Sequence, residues 1–356
     1  MNQIRADLLA WYQIHAREMP WRSQPTPWHV WVSEIMLQQT RVDSVIGYFE
    51  RFIKRFPSPE SVAAVPVEDV LDLWAGLGYY SRARNLHHAC REIATVHGGN
   101  IPSEPDVFRT LKGVGAYTCG AVMSIAFGRP EAIVDGNVER VFSRVFLVEE
   151  DIRLSSTKKK FWTLAQDWVV NLTEGEQPGD LNQAVMELGA LVCLPKSPRC
   201  TECPLQVHCR AFNLDRVHGL PVKSKAKPKR TVKKHAWLYE TDDGRIWVTR
   251  RPNEGLLAGL WSLPMSTVET SESTAFALDI EPSVRIQHAF THLIWQVDLY
   301  RSSKPMHTPK ANWGTEVRAM TVEELSKVAL GGPSLKALIK AGIPLPRRRG
   351  AGKQVT

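Results

Sequence analysis

The chain contains 356 residues, a length typical of two domains, and its 43% hydrophobic and 23% charged residues are ordinary for a globular protein. Lysine and arginine exceed aspartate and glutamate by 45 to 37, which favours a polyanionic partner such as nucleic acid. No apolar run approaches the roughly 20 residues that a membrane span needs, and the charged N-terminus lacks the apolar core of a signal peptide. We therefore expect a cytoplasmic protein in which clustered cysteines bind metal and do not form disulfides.

Residues 1–215 show the pattern of an all-α domain. Apolar residues at three- and four-residue spacing predict an amphipathic helix over 31–56. A capping box at 103–106 predicts a helix that ends near residue 111. Further helices are predicted over 116–127 and 155–172.

A change of pattern follows. Residues 216–234 hold eight Lys or Arg and no acid, which predicts a basic interdomain linker. Residues 235–251 form two strand-like runs around an Asp-Gly turn, and 288–302 is predicted as another strand. With two short helices near the C-terminus, this predicts an α+β domain over 235–345. The basic tail 346–356 is predicted to be disordered.

Four of the six cysteines lie close together with the spacing C-x6-C-x2-C-x5-C. They are Cys193, Cys200, Cys203 and Cys209. Their thiolates can converge on one metal centre, and two centres fit four thiolates: a tetrahedral Zn²⁺ or a [4Fe–4S] cluster. Zinc sites more often show two C-x2-C pairs, and this segment has one. The spacing favours iron–sulfur and leaves zinc open.

Gly113 and Gly115 lie between two predicted helices. Two glycines one residue apart let the backbone turn tightly, and the free N–H groups of the following helix then face any anion that docks there. The pattern fits a helix–hairpin–helix phosphate clamp over about 105–127, an interpretation to which the basic charge of the chain adds weight. An ordinary tight turn is the alternative.

Two carboxylates suit acid–base chemistry. Glu34 lies on a predicted amphipathic helix with the apolar neighbours Ile35, Met36 and Leu37, and desolvation there would raise its pKa into the range of a proton donor. A solvent-exposed helix position is the alternative. Asp135, where an extended run enters a helix, predicts an N-cap, a rigid position that still allows a carboxylate to face substrate. Cleavage of a glycosidic bond requires such a pair.

Six motifs in chain order resemble those of the adenine DNA glycosylases of the MutY family. They are Met19-Pro20-Trp21-Arg22, Ser33 to Thr40, Gly76 to Arg82, Leu111 to Gly115, Val134 to Asn137, and the cysteine loop of 193–209. They span essentially all of residues 1–215. The resemblance implies an all-α catalytic domain of the helix–hairpin–helix glycosylase superfamily, with a [4Fe–4S] cluster held by the four cysteines.

The resemblance also implies roles for individual residues. Glu34 matches the acid that protonates adenine N7, Asp135 the carboxylate that stabilises or captures the sugar cation, and Asn137 a residue that orients Asp135. Gln39 and Tyr79 match residues that wedge into the duplex when adenine is flipped out. Further DNA or base contacts are implied for Arg22, Thr40, Leu77, Gly113 and Gly115.

Tyr117 separates two reaction types. Bifunctional relatives in the superfamily carry at this position a lysine that attacks the sugar as an amine. Without this nucleophile we expect a monofunctional enzyme that leaves an abasic site. Lys112, at a position where proline is more usual, departs from the family pattern; we expect it to contact phosphate, and it leaves weak lyase activity open.

The C-terminal domain is similar to the family's Nudix-like domain. A working Nudix hydrolase needs an R-E-x-x-E-E helix, and none follows Gly255 to Trp261, so we expect recognition without hydrolysis. Phe290-Thr291-His292 resembles the loop that senses 8-oxoguanine opposite adenine, with threonine in place of serine and the hydroxyl kept.

We therefore expect a monomeric enzyme that acts on double-stranded DNA containing 8-oxoG:A or G:A pairs, associated with the nucleoid if the source is a prokaryote. One alternative is a glycosylase of the same superfamily for oxidised pyrimidines or mismatched thymine, against which Tyr117 and the 290–292 loop argue. The other is a non-catalytic, redox-sensing DNA-binding protein. The simultaneous presence of Glu34 and Asp135 argues against it.

Overall fold

A computed structural model describes residues 1–170, 172–225, 228–267, 281–302 and 316–345. The chain divides into two compact units, one formed by 1–64 with 85–226 and the other by 65–84 with 227–356. The grouping of 65–84 with the second unit differs from the continuous 1–215 domain expected from the sequence. None of the helices in the described ranges is both long enough and apolar enough to span a membrane.

The chain is helical up to residue 213. The helices are α1 (Asn2–His15), α2 (Pro20–Ser23), α3 (Pro27–Leu37), α4 (Val42–Arg55), α5 (Pro59–Ala63), α6 (Val67–Trp74), α7 (Ser81–Val96), α8 (Pro105–Thr110), α9 (Ala116–Phe127), α10 (Gly136–Val145), α11 (Ser155–Val170), α12 (Pro178–Leu191) and α13 (Arg210–Asn213). Short 3-10 turns at Cys200–Glu202 and Gln206–His208 shape the cysteine loop. The helices predicted over 116–127 and 155–172 are confirmed.

The single helix predicted over 31–56 is wrong, because the chain breaks into α3 and α4. Gln39 has a φ of 57°, in the left-handed region that a right-handed helix cannot contain. The amide of Thr40 donates to the carbonyl of Leu37 at 3.1 Å and closes the turn. The break leaves Glu34 in the last turns of α3 and puts Gln39 on the surface.

Two helix starts were predicted from capping residues, with different outcomes. The capping box at 103–106 is wrong: Glu104 is the N-cap of α8, it makes no side-chain cap bond, and Pro105 supplies the pre-set φ of the first turn. The N-cap at Asp135 is confirmed, since its carboxylate accepts from the first backbone amides of α10.

Glycines let α9 pack closely against the segment before α10, and α12 against α10. A Cβ atom on Gly120 of α9 would lie 1.9 Å from the carbonyl oxygen of Ala132, and one on Gly189 of α12 would lie 2.6 Å from the Cβ of Asn137. Large apolar side chains, among them Phe142 and Trp168, are buried in the core around these helices. This packing fixes the helices that carry the residues expected in the active site.

The second unit is an α+β domain. Its strands are β1 (Arg230–Leu238), β2 (Ile246–Arg250), β3 (Trp261–Ser262), β4 (Met265–Thr267), β5 (Val284–Ala289), β6 (Leu293–Arg301) and β7 (Glu316–Met320), and its C-terminal helices are α14 (Val322–Lys327) and α15 (Gly332–Lys340). One sheet has the order β4-β1-β6-β5 and the other β3-β2-β7. Strands β1 and β6 are parallel, and β5 and β6 are antiparallel. Side chains from both sheets and from α15 share one apolar core.

Three sequence-based boundaries in this domain need correction. Strand β1 begins at Arg230, inside the predicted linker 216–234. The turn predicted within 235–251 forms, with Thr241 donating to the carbonyl of Arg245, but β1 and β2 then enter different sheets. The strand predicted over 288–302 is the end of β5 and the whole of β6, because the chain reverses at 290–292. The predicted disordered tail 346–356 lies outside the described residues.

We expect Gly120→Ala to lower the free energy of unfolding by about 2–4 kcal/mol, because the new Cβ atom meets a backbone carbonyl that cannot rotate away. Urea unfolding of the two proteins measures this loss. Gly136→Ala is the matched control, since a Cβ atom there has no neighbour within 4 Å. Equal losses in the two variants would contradict the packing argument.

Candidate active site

A cavity of about 780 Å³ in the first unit gathers nine of the fourteen residues that the sequence singled out for catalysis or for DNA contact. Its walls come from α3, α9, α12 and the start of α10. The predicted site residues that line it are Arg22, Glu34, Gln39, Thr40, Gly113, Gly115, Tyr117, Asp135 and Asn137. A volume of this size falls within the range of small-ligand sites.

Glu34 is buried on the cavity wall, with 6% of its surface exposed. Tyr117 Oη donates to Glu34 Oε2 at 2.6 Å. Burial raises the pKa of Glu34 to about 7; the bond from Tyr117 opposes the rise, and the negative charge of Asp135 adds to it. The alternative of an exposed helix position is wrong, and the carboxyl group can carry a proton near neutral pH.

Tyr117 lies in the first turn of α9, directly after the hairpin. Burial and the nearby negative charges of Glu34 and Asp135 raise the pKa of its phenol well above the usual value. The phenol therefore stays protonated and donates a hydrogen bond to Glu34 Oε2. Because Oε2 accepts this bond, Oε1 is the favoured site for a proton carried by Glu34.

Asp135 combines a structural role with a position on the cavity wall. Its Oδ1 accepts from the backbone amides of Asn137 at 2.9 Å and Val138 at 2.8 Å, and its Oδ2 accepts from Asn137 Nδ2 at 2.8 Å. Burial raises the pKa of Asp135, and these bonds oppose the rise. The carboxylate is therefore held in one orientation by groups that favour its charged form.

A chain of hydrogen bonds continues from Asn137 towards the cysteine loop. Asn137 Oδ1 accepts from Arg140 Nη2 at 2.8 Å, and the same nitrogen donates to the carbonyl of Gly189 at 2.7 Å. Arg140 Nε donates to the carbonyl of Cys193 at 2.7 Å. The orientation of Asp135 thus depends on bonds that reach the backbone of the first clustered cysteine.

Arg22, predicted to contact DNA, belongs to a polar network inside this cavity. It donates to Glu187 Oε2 and to Gln183 Oε1, both at 3.1 Å. Burial alone would raise the pKa of Glu187, but the bonds from Arg17 and Arg22 lower it below its usual value. Sequence reasoning missed Glu187 and Gln183; an acid inside the apolar stretch of α12 was the available signal.

The hairpin has the geometry expected of a phosphate clamp. Gly113 has a φ of 87°, and a Cβ atom there would lie 2.7 Å from the Cβ of Asn85, so only glycine fits. Gly115 is the N-cap of α9 and supplies no side-chain cap to its first amides. Lys112 is exposed beside them. An uncapped helix N-terminus with an adjacent cation suits an anion.

Tyr79 and Leu77 belong to the second unit. Tyr79 is 45% exposed and has a φ of 47°, whereas Leu77, also expected to contact DNA, is 7% exposed and therefore buried. The guanidinium of Arg82 stacks over the Trp74 and Tyr79 rings at 5.4 Å and 5.5 Å. This stacking holds the loop that presents Tyr79.

The predicted sensing loop is the tip of the β5–β6 hairpin. The Phe290 ring packs against His288 at 4.7 Å and Trp295 at 4.9 Å, while Thr291 and His292 are exposed. Within the second unit, these three loop residues and Tyr79 line one cavity of about 480 Å³. In the sequence after Gly255 to Trp261, the described residues 262–267 carry no carboxylate.

All four clustered cysteines are free thiols that line a single cavity. Their neighbours in its wall are mostly apolar, with Arg144 and Arg199 as the cations, and no described carboxylate or imidazole lines it. Within the described ranges, no three Cys, His, Asp or Glu side chains are arranged to hold a single metal ion. The available donor set is four thiols around one space.

Two family models match the chain: the HhH-GPD superfamily base excision DNA repair protein over residues 32–167 and the NUDIX domain over 235–340. The human adenine DNA glycosylase is 33% identical over 398 residues, which cover 93% of this chain and 72% of the human protein. The adenine DNA glycosylase of Buchnera aphidicola subsp. Schizaphis graminum is 32% identical and covers 80% and 83%.

A solved structure of a thermostable thymine-DNA glycosylase is similar to the helical part, with 28% identity and a TM-score of 0.53. It covers 60% of this chain and 98% of that one. The helical fold is therefore shared with a glycosylase for a different base, and the fold by itself does not select the base that is removed.

We expect Glu34→Gln to raise the free energy of unfolding by about 3 kcal/mol at pH 8. Folding raises the pKa of Glu34 from 4.5 to about 7, so the wild type loses stability as pH rises through this window, at about 1.4 kcal/mol per pKa unit. The uncharged amide avoids this loss. At pH 5.5 the gain should fall to less than half. Urea unfolding at the two pH values measures it.

Glu50→Gln is the control for this measurement, because Glu50 is exposed on α4. Its stability relative to the wild type should be the same at both pH values. A gain for Glu34→Gln that does not change with pH would contradict the raised pKa.

Proposed function

Because the chain belongs to the adenine DNA glycosylase family, a family of hydrolases that cleave the N-glycosidic bond of adenine in DNA, we propose that its substrate is adenine opposite 8-oxoguanine or guanine. We further propose that it acts by hydrolysis alone and leaves an abasic site. The observation that carries the proposal is one cavity that the carboxyl groups of Glu34 and Asp135 both line. The buried Glu34 is hydrogen-bonded to Tyr117, and Asp135 caps the N-terminus of α10.

The first step is proton donation to the flipped base. A flipped adenine enters the cavity of about 780 Å³. Glu34 carries its proton on Oε1 and transfers it to a ring nitrogen of the base, which becomes a better leaving group as the bond between C1′ and the base nitrogen breaks. Protonated Glu34 is available because burial raises its pKa to about 7.

The second step places positive charge on the sugar. The electron pair of the breaking bond leaves with adenine, and the deoxyribose becomes an oxocarbenium-like cation. Asp135 is the carboxylate on the cavity wall whose charged form is favoured by three hydrogen bonds, so it stabilises or captures this cation. Water then adds at C1′ and its proton returns to Glu34 or to solvent.

The nucleophiles present support hydrolysis without strand cleavage. Schiff-base chemistry needs a primary amine at C1′. None of the described residues that line the cavity is a lysine, and Tyr117 occupies the position where bifunctional relatives have one. Its phenol is already engaged with Glu34. Lys112 lies outside this cavity wall.

Recognition of the opposite base is assigned to the second unit. Thr291 and His292 offer a hydroxyl and an imidazole at the exposed tip of the β5–β6 hairpin, which the packed Phe290 ring anchors. Their shared cavity with Tyr79 brings polar hydrogen-bonding groups and an aromatic ring together, the combination used to read an unstacked base. The absence of an R-E-x-x-E-E run from the sequence supports recognition without Nudix hydrolysis.

The four thiols fit a [4Fe–4S] cluster, which we propose as the resident cofactor. Cys193, Cys200, Cys203 and Cys209 supply one thiolate for each iron around a single, mostly apolar cavity. When bound, the cluster cross-links the 193–209 loop and supplies a redox-active centre. The chain's own part is to hold the loop in shape with the 3-10 turns and with the Arg140 bond to the Cys193 carbonyl.

Single-turnover excision should be at least tenfold faster for adenine opposite 8-oxoguanine or guanine than for adenine opposite cytosine or thymine. No covalent enzyme–DNA product should form with borohydride, because no amine reaches the sugar. His292→Ala should reduce the preference for 8-oxoguanine over guanine. The control Gln287→Ala changes an exposed residue of β5 and should leave the preference intact. A trapped product, or equal rates for all four partners, would contradict the proposal.

The excision rate should fall as pH rises through about 7, because Glu34 then loses the proton that it donates. Tyr117→Phe removes a hydrogen bond that lowers the pKa of Glu34, so the descending limb should move to higher pH in this variant. Single-turnover rates from pH 5.5 to 9 measure the descending limb in the wild type and in the variant. A descending limb at the same pH in Tyr117→Phe would contradict the claim that the Tyr117 hydrogen bond lowers the pKa of Glu34.

A further inference from the structure

Arg144 is buried near the C-terminal end of α10, with 2% of its surface exposed. A buried guanidinium is costly unless an opposite charge compensates it. Within the described residues, however, its hydrogen-bond partners are four carbonyl oxygens and one thiol, with no carboxylate among them. None of these hydrogen-bond partners therefore carries a carboxylate charge that would compensate the guanidinium.

The contacts of Arg144 converge on the cysteine cavity. Nη1 donates to Cys193 Sγ at 3.2 Å and to the carbonyl of Leu194 at 2.8 Å, and Nη2 donates to the carbonyl of Pro195 at 3.3 Å. One edge of the guanidinium thus holds the first cysteine and the two residues after it. Arg144 also lines the cavity that the four thiols share.

The opposite edge of the guanidinium holds the chain after the last cysteine. Nε donates to the carbonyls of Val217 and Leu220, at 3.1 Å and 3.0 Å. Arg144 therefore bridges the segment that begins the cysteine loop and the segment that follows it. A side chain in this position fixes the loop at both ends.

The charges nearby do not neutralise Arg144. Arg140 lies one helical turn earlier on α10, and Arg199 lines the same cavity. Both are cations. The groups that can supply negative charge in this cavity are the four cysteine sulfurs, once they are thiolates bound to metal. A cluster held by four thiolates carries net negative charge, which suits a buried cation without a carboxylate partner.

We propose that Arg144 is a positioning residue for the iron–sulfur cluster, donating a hydrogen bond to the Cys193 thiolate and serving as the buried counter-charge of the cluster. This inference rests on the cofactor proposed above. Hydrogen bonds to ligand sulfurs and the net charge around a cluster set its reduction potential. A cation and an N–H donor both stabilise the more negative, reduced form, so Arg144 raises the potential.

The test compares cluster-loaded, full-length variants by protein film voltammetry, with iron and acid-labile sulfide measured for each. Arg144→Met removes the charge and the donor and should shift the potential to more negative values. It should also speed loss of the cluster in air by at least threefold. The control Arg199→Met removes a cation whose side chain is 60% exposed and paired with Glu202, so its shift should be clearly smaller.

Arg144→Lys and Arg144→Gln separate the charge from the hydrogen bond and carry the test if Arg144→Met does not fold. Lysine keeps the charge, so its potential should lie closer to the wild type than that of glutamine. Resonance Raman bands of the iron–thiolate stretches should shift in both variants, because both alter the bond to Cys193. A purely structural residue would change the stability and leave these signals in place.

The outcomes distinguish this inference from the cofactor proposal. A wild-type protein without iron and labile sulfide would refute the cofactor and, with it, the role of Arg144. If the wild type contains the cluster but its reduction potential does not change in Arg144→Met, the role of Arg144 alone is overturned. The same holds if the potential changes in neither Arg144→Lys nor Arg144→Gln. Excision of adenine by the loaded wild type would stand in that case.

Discussion

The hydrogen bond between Tyr117 and the buried carboxyl of Glu34 is the interaction on which the rest of the site depends. An isolated buried carboxylate is unstable, so the group either finds a partner or takes up a proton. Here both happen: burial raises the pKa to about 7, and the phenol limits the rise. The bond also favours Oε1 as the oxygen of Glu34 that presents a proton. Keeping it requires α3 and α9 to stay packed together, and the close contact of Gly120 with the Ala132 carbonyl helps to fix the position of α9.

Asp135 shows how one carboxylate meets a structural and a chemical requirement together. As the N-cap of α10 it accepts backbone amides that would otherwise lack partners. The same bonds favour its charged form and oppose the effect of burial. Burial raises the pKa of both Glu34 and Asp135 on this cavity wall, to about 7 for Glu34, whereas three hydrogen-bond donors oppose the rise for Asp135 and favour its charged form. This difference is what an acid and a cation-stabilising group require.

The sequence predicted the helices whose apolar spacing and caps are local, such as α9, α11 and the start of α10. It also identified most of the residues of the main cavity, because they fall in short motifs. It failed where long-range packing decides. The apolar periodicity on both sides of residues 38–41 gave no sign of the left-handed backbone at Gln39. The pattern over 288–302 likewise gave no sign that the chain reverses at 290–292. Glu187 and Gln183 were missed because their partners are distant in sequence. No local pattern distinguishes an acid on α12 that pairs with Arg17 and Arg22 from an acid on the surface.

Helix α10 links the two chemical centres by its own geometry. Asp135 caps its N-terminus at the glycosidase cavity, and Arg144 lies near its C-terminus at the cysteine cavity, nine residues and about 14 Å of helix away. The helix dipole suits a cation at that end, and the thiolates suit it further. Arg140 donates to both Asn137 Oδ1 and the carbonyl of Cys193. A shift of the cysteine loop would therefore move Asp135 through α10 and through this short chain of hydrogen bonds. The cysteine loop is thus part of the support of Asp135, which gives a physical reason for the proposed catalytic carboxylate and the four thiols to be linked by one helix.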